Sequence, residues 1–319
     1  MSPGRDTVQG KPLRATQTLV SHMAFCWSHP SLTLIEVAWR WLFGIPFLAV
    51  LWTHARDVLI RIPPASVGLD RLNYQNPWVS SVLLADAAAE YQPAVAAAVR
   101  TIVPIAVVVW AIVSGVGRML VLWRMERLTD RLDSVEPRLT FNVWLRRLPM
   151  LIVLQGLWLL AMLSCFWLWY HSVAWAAAMH IGAAGEPDLV GYLCWLIFLS
   201  LGLFVLWAVV NWTLAIAPLL LFMEPNSSGT RVLMDSFRLG KSFSGKLVEV
   251  NLVMSIVKIA LIVLAMVFSA APLPFSDQFG PDFMHVLYVL IAVGFLIGND
   301  YFQVVRLRSF IGLWREYRG

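Results

Sequence analysis

The chain has 319 residues, of which 59% are hydrophobic and 13% are charged. Soluble globular domains are about 25% charged, so this composition excludes an ordinary soluble protein and indicates one that is solvated by lipid. The net charge of +5 does not indicate nucleic-acid binding, because the basic residues stand at the ends of apolar runs, as the positively charged residues of membrane proteins do.

Six apolar runs are long enough to cross a bilayer, which takes about 20 residues of helix. Trp and Tyr cluster at many of their ends, where interfacial anchors are expected. The sequence therefore predicts an all-α fold, a polytopic membrane helix bundle with six transmembrane helices in a domain over 31–306. The predicted spans are Ser31–His54, Thr101–Trp123, Leu148–Tyr170, Leu189–Trp212, Leu247–Ala271 and Phe283–Val305.

The segments before and after the first span are predicted to lie outside the membrane. Residues 1–30 lack the apolar core and cleavage site of a secretory signal and are predicted to form a cytoplasmic tail. Residues 55–100 are predicted to form an extracytoplasmic loop, whose part 76–100 is rich in Ala and interrupted by Pro93. We predict there either an amphipathic helix on the outer surface or an ordinary helix of an ordered loop.

The fourth apolar run is longer than its span. It continues without a charge to Met223, which makes about 50 Å of helix against a hydrocarbon core of about 30 Å. Pro218 lies in this run, so we expect a kink or a break there, followed by an interfacial piece. The next segment, 227–240, is predicted to be a cytoplasmic amphipathic helix that Gly240 ends, and 307–319 a cytoplasmic tail.

The basic residues alternate from loop to loop. Eighteen Lys and Arg residues lie on one side of the predicted membrane and four on the other. Cytoplasmic loops are the ones that collect Lys and Arg, so both chain ends are predicted to be cytoplasmic.

One stretch, 212–253, carries a pattern in which a Pro inside an apolar run is followed by an acidic residue and by a short helix reading L-x-x-S-x-x-L-x-x-G. This resembles the six-helix membrane domain of some bacterial glycerophosphodiester phosphodiesterases. The resemblance implies a bacterial cell inner membrane and supports fold and topology; the phosphodiesterase's catalytic motifs are absent from the sequence. The matching positions are Pro218, Glu224, Leu233, Ser236, Leu239 and, slightly displaced, Gly240.

Lys258 is the main candidate for a functional residue, because a charge inside a membrane costs about 2.5–3.5 kcal/mol and needs a reason. Asn251, Ser255 and Lys258 follow helical spacing, so one polar face of the fifth span must point into the bundle. Lys258 could contact a ligand in a polar cavity, or it could pair with a carboxylate on a neighbouring helix. In the second case Lys258→Leu would lower the melting temperature.

By depth, Glu36, Arg40, Glu249, Asn251 and Asp300 are all predicted to lie in the cytoplasmic half of the bilayer. Glu36 and Arg40 are one turn apart on the first span and can pair with each other, and Asp300 is near the cytoplasmic end of the sixth. We predict a shared intramembrane polar cluster, either structural or ligand-binding. Gly294 and Gly298 form a GxxxG pattern that permits close helix packing, within the bundle or in a homo-oligomer.

The remaining patterns predict no chemistry. His171 and His180 have no nearby carboxylate in the predicted loop and are interpreted as interfacial residues. The three cysteines form no pair typical of a metal or disulfide site. No catalytic residue, metal site or cofactor is therefore predicted.

Three functional hypotheses follow. The first is a scaffold or accessory subunit that acts through contacts with lipid or with a protein partner. The second is a small permease or lipid-handling transporter with a polar cavity around Lys258, and the third an intramembrane enzyme. A cavity that reaches Lys258 would favour the second hypothesis, whereas a sealed ion pair would favour the first.

Overall fold

A computed structural model describes residues 15–72, 77–133, 141–180, 188–223, 229–242, 244–270 and 281–318. Eight α-helices and one short 3-10 turn make up the regular structure in these ranges, which confirms the predicted all-α fold. The helices are α1 Ala15–Ser28, α2 Pro30–Arg61, α3 Pro77–Asp133, α4 Phe141–His180, α5 Leu189–Met223, α6 Gly229–Ser242, α7 Ser244–Ala270 and α8 Pro281–Arg318.

Six of these helices, α2, α3, α4, α5, α7 and α8, are long and apolar enough to cross a membrane. Their large apolar side chains mostly face outwards. Val190 exposes 74% of its surface and Phe198 exposes 68%. Soluble proteins do not leave apolar surface of this extent open to water, but lipid tails cover it without cost. The chain is therefore a multi-pass integral membrane protein.

The spanning helices pack largely in chain order. α2, α3, α4 and α5 each contact the next helix, and α8 packs on both α7 and α2. α5 and α7 share no comparable interface among the described residues. The contacts between neighbouring helices therefore form a ring that is open between α5 and α7 in the described structure.

The hydrophobic core lies at the end of the bundle that carries α1 and α6. Its buried side chains come from the ends of the spanning helices that meet there, and include Trp144, which stacks on Phe222 with ring centroids 4.1 Å apart. The part of α8 beyond residue 306, predicted to be a tail, continues the helix and contributes Phe310 and Trp314 to this core. α1, within the other predicted tail, packs against α8.

The helix predicted within 76–100, on the surface or in an ordered loop, is not separate from the second span. Residues 77–100 are the first part of α3, which continues through Pro93 and Pro104 for 57 residues. The Ala-rich sequence before residue 100 favours helix, and the helix continues through both prolines although each removes a backbone hydrogen bond. At 1.5 Å per residue, α3 is about 85 Å long and must project beyond the bilayer. The Tyr91 hydroxyl donates to the carbonyl of Ile62 at 2.9 Å, which ties this extension to the end of α2.

Two helix ends also differ from expectation. α5 contains Pro218 and continues to Met223, so it is not broken there. The residues around Pro218 are buried in the core, and Arg147 donates a hydrogen bond to the Leu221 carbonyl. Gly240 does not end α6 but lies inside it. Among the described glycines, positive φ occurs only at Gly68, in the turn after α2.

His22 makes the packing of α1 sensitive to pH. Its Nδ1 shares a hydrogen bond with Ser309 Oγ at 3.1 Å, and burial, with a contribution from Arg308, lowers its pKa from 6.5 to about 4. As the pH falls, the unfolded chain takes up a proton before the folded one does. Protonation of His22 therefore does not affect the free energy of unfolding above about pH 6.5 and lowers it between about pH 6.5 and 4.

We therefore expect the melting temperature to fall more between pH 7.5 and 5 in the wild type than in His22→Gln. His54→Gln, which changes an exposed histidine, serves as the control and should keep the wild-type response. An identical pH response in His22→Gln would contradict the assignment.

Candidate functional site

The candidate site is organised around Glu36, whose side chain is completely buried. The Trp39 indole donates to Glu36 Oε2 at 3.0 Å, and Arg40 Nε donates to Oε1 at 3.0 Å. Arg118 of α3 places its NH1 3.4 Å from the same Oε1. A buried carboxylate is stable only when it is paired in this way, so Glu36 joins α2 firmly to α3.

Arg40 extends the cluster to α8. Its NH1 donates to Asp300 Oδ1 at 2.7 Å while its NH2 lies 2.9 Å from Glu36 Oε1. The structure thus brings together the three charged residues Glu36, Arg40 and Asp300 that the sequence placed at a common depth. The Arg40 guanidinium therefore forms ion pairs with two carboxylates that lie on different helices, α2 and α8.

Two further cations lie beside this cluster without such partners. No carboxylate oxygen lies within 4 Å of Lys258 among the described residues. Arg306 stacks over the Phe310 ring at 5.2 Å, and its buried Nε has no hydrogen-bond partner in the described part of the chain. Arg118 NH1, although close to Glu36, likewise makes no hydrogen bond within the described ranges.

All four cations border one cavity of about 640 Å³. Amides add to its polar lining, and Trp and Phe side chains form its apolar wall. Trp158 Nε1 donates to Asn211 Oδ1 at 2.8 Å, so the amide nitrogen of Asn211 is left to donate. The principal lining residues are Arg40, Arg118, Lys258, Arg306, Gln155, Asn211, Gln303, Trp39, Phe43, Trp110, Trp158 and Trp207.

A second space of about 280 Å³ adjoins this cavity where α5, α7 and α8 meet. Asn251 and Ser255 line it, and both spaces share lining residues, Lys258 and Arg306 among them. Ser255 is exposed and its hydroxyl donates to the Asn251 carbonyl at 2.8 Å. The polar face of α7 therefore lines this second space, here called the side cleft between α5 and α7, which adjoins the charged cavity.

The glycine pattern of the sixth span lies away from the site. A Cβ added at Gly294 would meet nothing within 4 Å, and one at Gly298 would only touch Leu261 at ordinary distance. Closer approaches between spanning helices occur in α3: a Cβ at Gly115 would lie 3.2 Å from Ile152 Cα, and one at Gly117 would overlap the Trp39 ring.

Of the described positions of the resemblance, Pro218 borders the cavity, whereas Leu233, Ser236, Leu239 and Gly240 do not line it. The buried Ser236 hydroxyl donates to the Leu233 carbonyl at 2.8 Å, so its hydrogen-bond donor is used within α6. Glu224 lies outside the described residues.

At the opposite end of the bundle, His180 does have a carboxylate partner, contrary to the sequence interpretation. Its Nδ1 lies 3.1 Å from Asp188 Oδ2. The pKa of Asp188 is lowered by the Gly191 backbone N–H, which donates to it, and by His180. This pair joins the end of α4 to the start of α5. Within the described ranges no three metal-binding side chains come together.

Sequence reasoning missed Arg118, Arg306 and the cavity amides. The two arginines were counted with the basic residues of the cytoplasmic edge, although Arg118 lies inside the predicted second span. Gln155 and Asn211 are polar residues within apolar runs, and their depth was the available signal.

The arrangement is suited to binding an anion. Four cations and several amide donors line the cavity, and two carboxylates beside it, Glu36 and Asp300, neutralise two of the positive charges through Arg40 and Arg118. Comparison with known proteins adds no family: no protein-family model, curated protein or solved structure matches this chain.

Proposed function

We propose that the protein is a lipid-handling transporter or small permease whose ligand binds in the cavity around Lys258. The observation that carries this proposal is the cavity itself, which reaches Lys258 and leaves its ammonium group without a carboxylate partner among the described residues. A scaffold has no need for an unpaired cation inside the membrane, where the charge is costly.

The side cleft between α5 and α7 supports lipid handling in particular. A ligand that moves between lipid and the cavity needs an entry from the side, and these are the two neighbouring helices without a substantial common interface in the described structure. Asn251 and Ser255 provide polar contacts along that route. A permease for a water-soluble compound would instead need entries at the two ends of the bundle.

Topology and location form part of the proposal. The excess of basic residues supports cytoplasmic chain ends, and the resemblance to the membrane domain of bacterial glycerophosphodiester phosphodiesterases supports a bacterial cytoplasmic membrane. That resemblance stays a prediction.

Native mass spectrometry of the protein extracted with its surrounding lipid tests the function. We expect a single chain or a homo-oligomer that retains one lipid or small molecule, and we expect Lys258→Leu to lose it. Lys241→Leu, at an exposed position of α6, is the control and should retain it. A stoichiometric protein partner and an empty cavity would instead establish the accessory-subunit hypothesis.

The same variant separates a binding role from a structural one. Because Lys258 neutralises no carboxylate within 4 Å in the described structure, we expect Lys258→Leu to keep or raise the melting temperature of the ligand-free protein in detergent. Removing one partner of a buried ion pair would cost about 3–5 kcal/mol. A marked fall in melting temperature would therefore show that Lys258 is structural.

A further inference from the structure

We propose that the cavity binds the phosphomonoester group of a lipid, which enters through the side cleft between α5 and α7. This inference rests on the proposed function and names the ligand class of that same site.

The charge balance favours a dianion. Arg40, Arg118, Lys258 and Arg306 border the cavity, and among the described residues Glu36 and Asp300 are the carboxylates of the cluster. Two positive charges are left over. A phosphomonoester carries about −1.5 to −2 at neutral pH and balances them, whereas a carboxylate or a phosphodiester, with a single negative charge, would leave one cation without compensation.

The donors favour phosphate oxygens. Arg306 Nε makes no hydrogen bond in the described part of the chain, and Arg118 NH1 lies 3.4 Å from Glu36 Oε1 without forming one there. Both arginines border the cavity, and a buried donor is costly until an acceptor is supplied. Guanidinium and ammonium groups form their strongest hydrogen bonds with phosphate and carboxylate oxygens. The three terminal oxygens of a phosphomonoester provide enough acceptors for Arg306, Arg118 and Lys258 together.

The surroundings favour a lipid as the source of the phosphate. Trp110 stacks on Trp158 with centroids 5.4 Å apart, and Trp207 packs on Trp158 at 5.7 Å, which gives the cavity an apolar aromatic wall. Trp207 also lines the side cleft. A ligand with an anionic head and an apolar tail fits this combination, because the head reaches the cations while the tail remains between α5 and α7.

The test is a binding titration of the purified full chain in neutral detergent. The probes are short-chain phosphatidic acid, phosphatidylglycerol, diacylglycerol and inorganic phosphate, and tryptophan emission reports occupancy because four Trp side chains line the cavity. We expect phosphatidic acid to bind at least about 10-fold more tightly than phosphatidylglycerol, and diacylglycerol not to bind measurably. Equal affinity for phosphatidic acid and diacylglycerol would overturn the proposal.

Variants locate the binding. Lys258→Gln and Arg306→Gln should each weaken phosphatidic acid binding about 10- to 100-fold, and Lys241→Gln should leave it unchanged. Lys258 is partly exposed in the cleft, so its variant keeps the test valid if Arg306→Gln does not fold. A wild-type affinity in Lys258→Gln would overturn the assignment of the site.

Inorganic phosphate distinguishes the two sources of the same chemistry. Binding far weaker than that of phosphatidic acid supports a lipid, whereas equal affinity would overturn the lipid source and assign the cavity to free phosphate. A neutral or zwitterionic lipid that is retained in native mass spectrometry and lost in Lys258→Leu would overturn the phosphomonoester alone. An empty cavity in that experiment would overturn the proposed function as well.

Discussion

Glu36→Gln is expected to lower the free energy of unfolding by about 3–5 kcal/mol, the loss typical of breaking a buried ion pair from one side. The amide keeps an acceptor for the Trp39 indole but removes the charge that Arg40 and Arg118 share. Arg40 keeps its ion pair with Asp300 at 2.7 Å, whereas Arg118 loses the carboxylate that neutralises it. The measurement is unfolding by sodium dodecyl sulfate in mixed micelles, supported by the melting temperature in detergent.

Glu90→Gln is the matched control, because Glu90 is exposed on the extension of α3 and exposed pairs contribute little. Glu36→Gln combined with Arg118→Met removes the uncompensated charge and should recover part of the lost stability. If Glu36→Gln and Glu90→Gln unfold alike, Glu36 is not the carboxylate that neutralises these arginines.

Gly117→Ala is expected to have a comparable effect through sterics. The new Cβ would overlap Cγ, Cδ1 and Cδ2 of Trp39. These are the ring atoms nearest the backbone, and rotation of the side chain moves them little. Overpacking of this kind costs about 1–3 kcal/mol, and displacing the indole also breaks its hydrogen bond to the Glu36 carboxylate, which adds about 1.5–3 kcal/mol. A lower melting temperature and a shifted tryptophan emission would record both effects.

Gly202→Ala provides the comparison. Gly202 also lies inside a spanning helix, but a Cβ there meets nothing within 4 Å, so the better helix propensity of Ala should leave stability unchanged or slightly higher. Equal melting temperatures for the two alanine variants would show that α2 and α3 separate readily at Gly117.

The spanning helices could be predicted because hydropathy over some 20 residues is a property of the local sequence. Their limits were harder to predict, since they depend on packing. Pro218 lies inside α5, where the core surrounds it, and the Ala-rich segment before residue 100 joins α3 although Pro93 interrupts it.

The candidate site was only partly predictable for a related reason. Glu36 and Arg40 are neighbours on one helix, so their pairing follows from spacing alone. Arg118 and Arg306 look like ordinary basic residues of a membrane edge, and only the packing of α3 and α8 beside α2 turns them towards a common cavity. Likewise, the GxxxG pattern predicted close helix packing at Gly294, whereas close contacts of α3 with neighbouring helices occur at Gly115 and Gly117.

The uneven distribution of the core has a mechanical consequence. Buried side chains hold the helices together at the end that carries α1 and α6, while α4 and α5 towards their other ends are bordered mainly by exposed residues. Because α5 and α7 share no substantial interface in the described structure, a movement that separates them would break few contacts between them. Their separation would set the width of the cleft that both helices line.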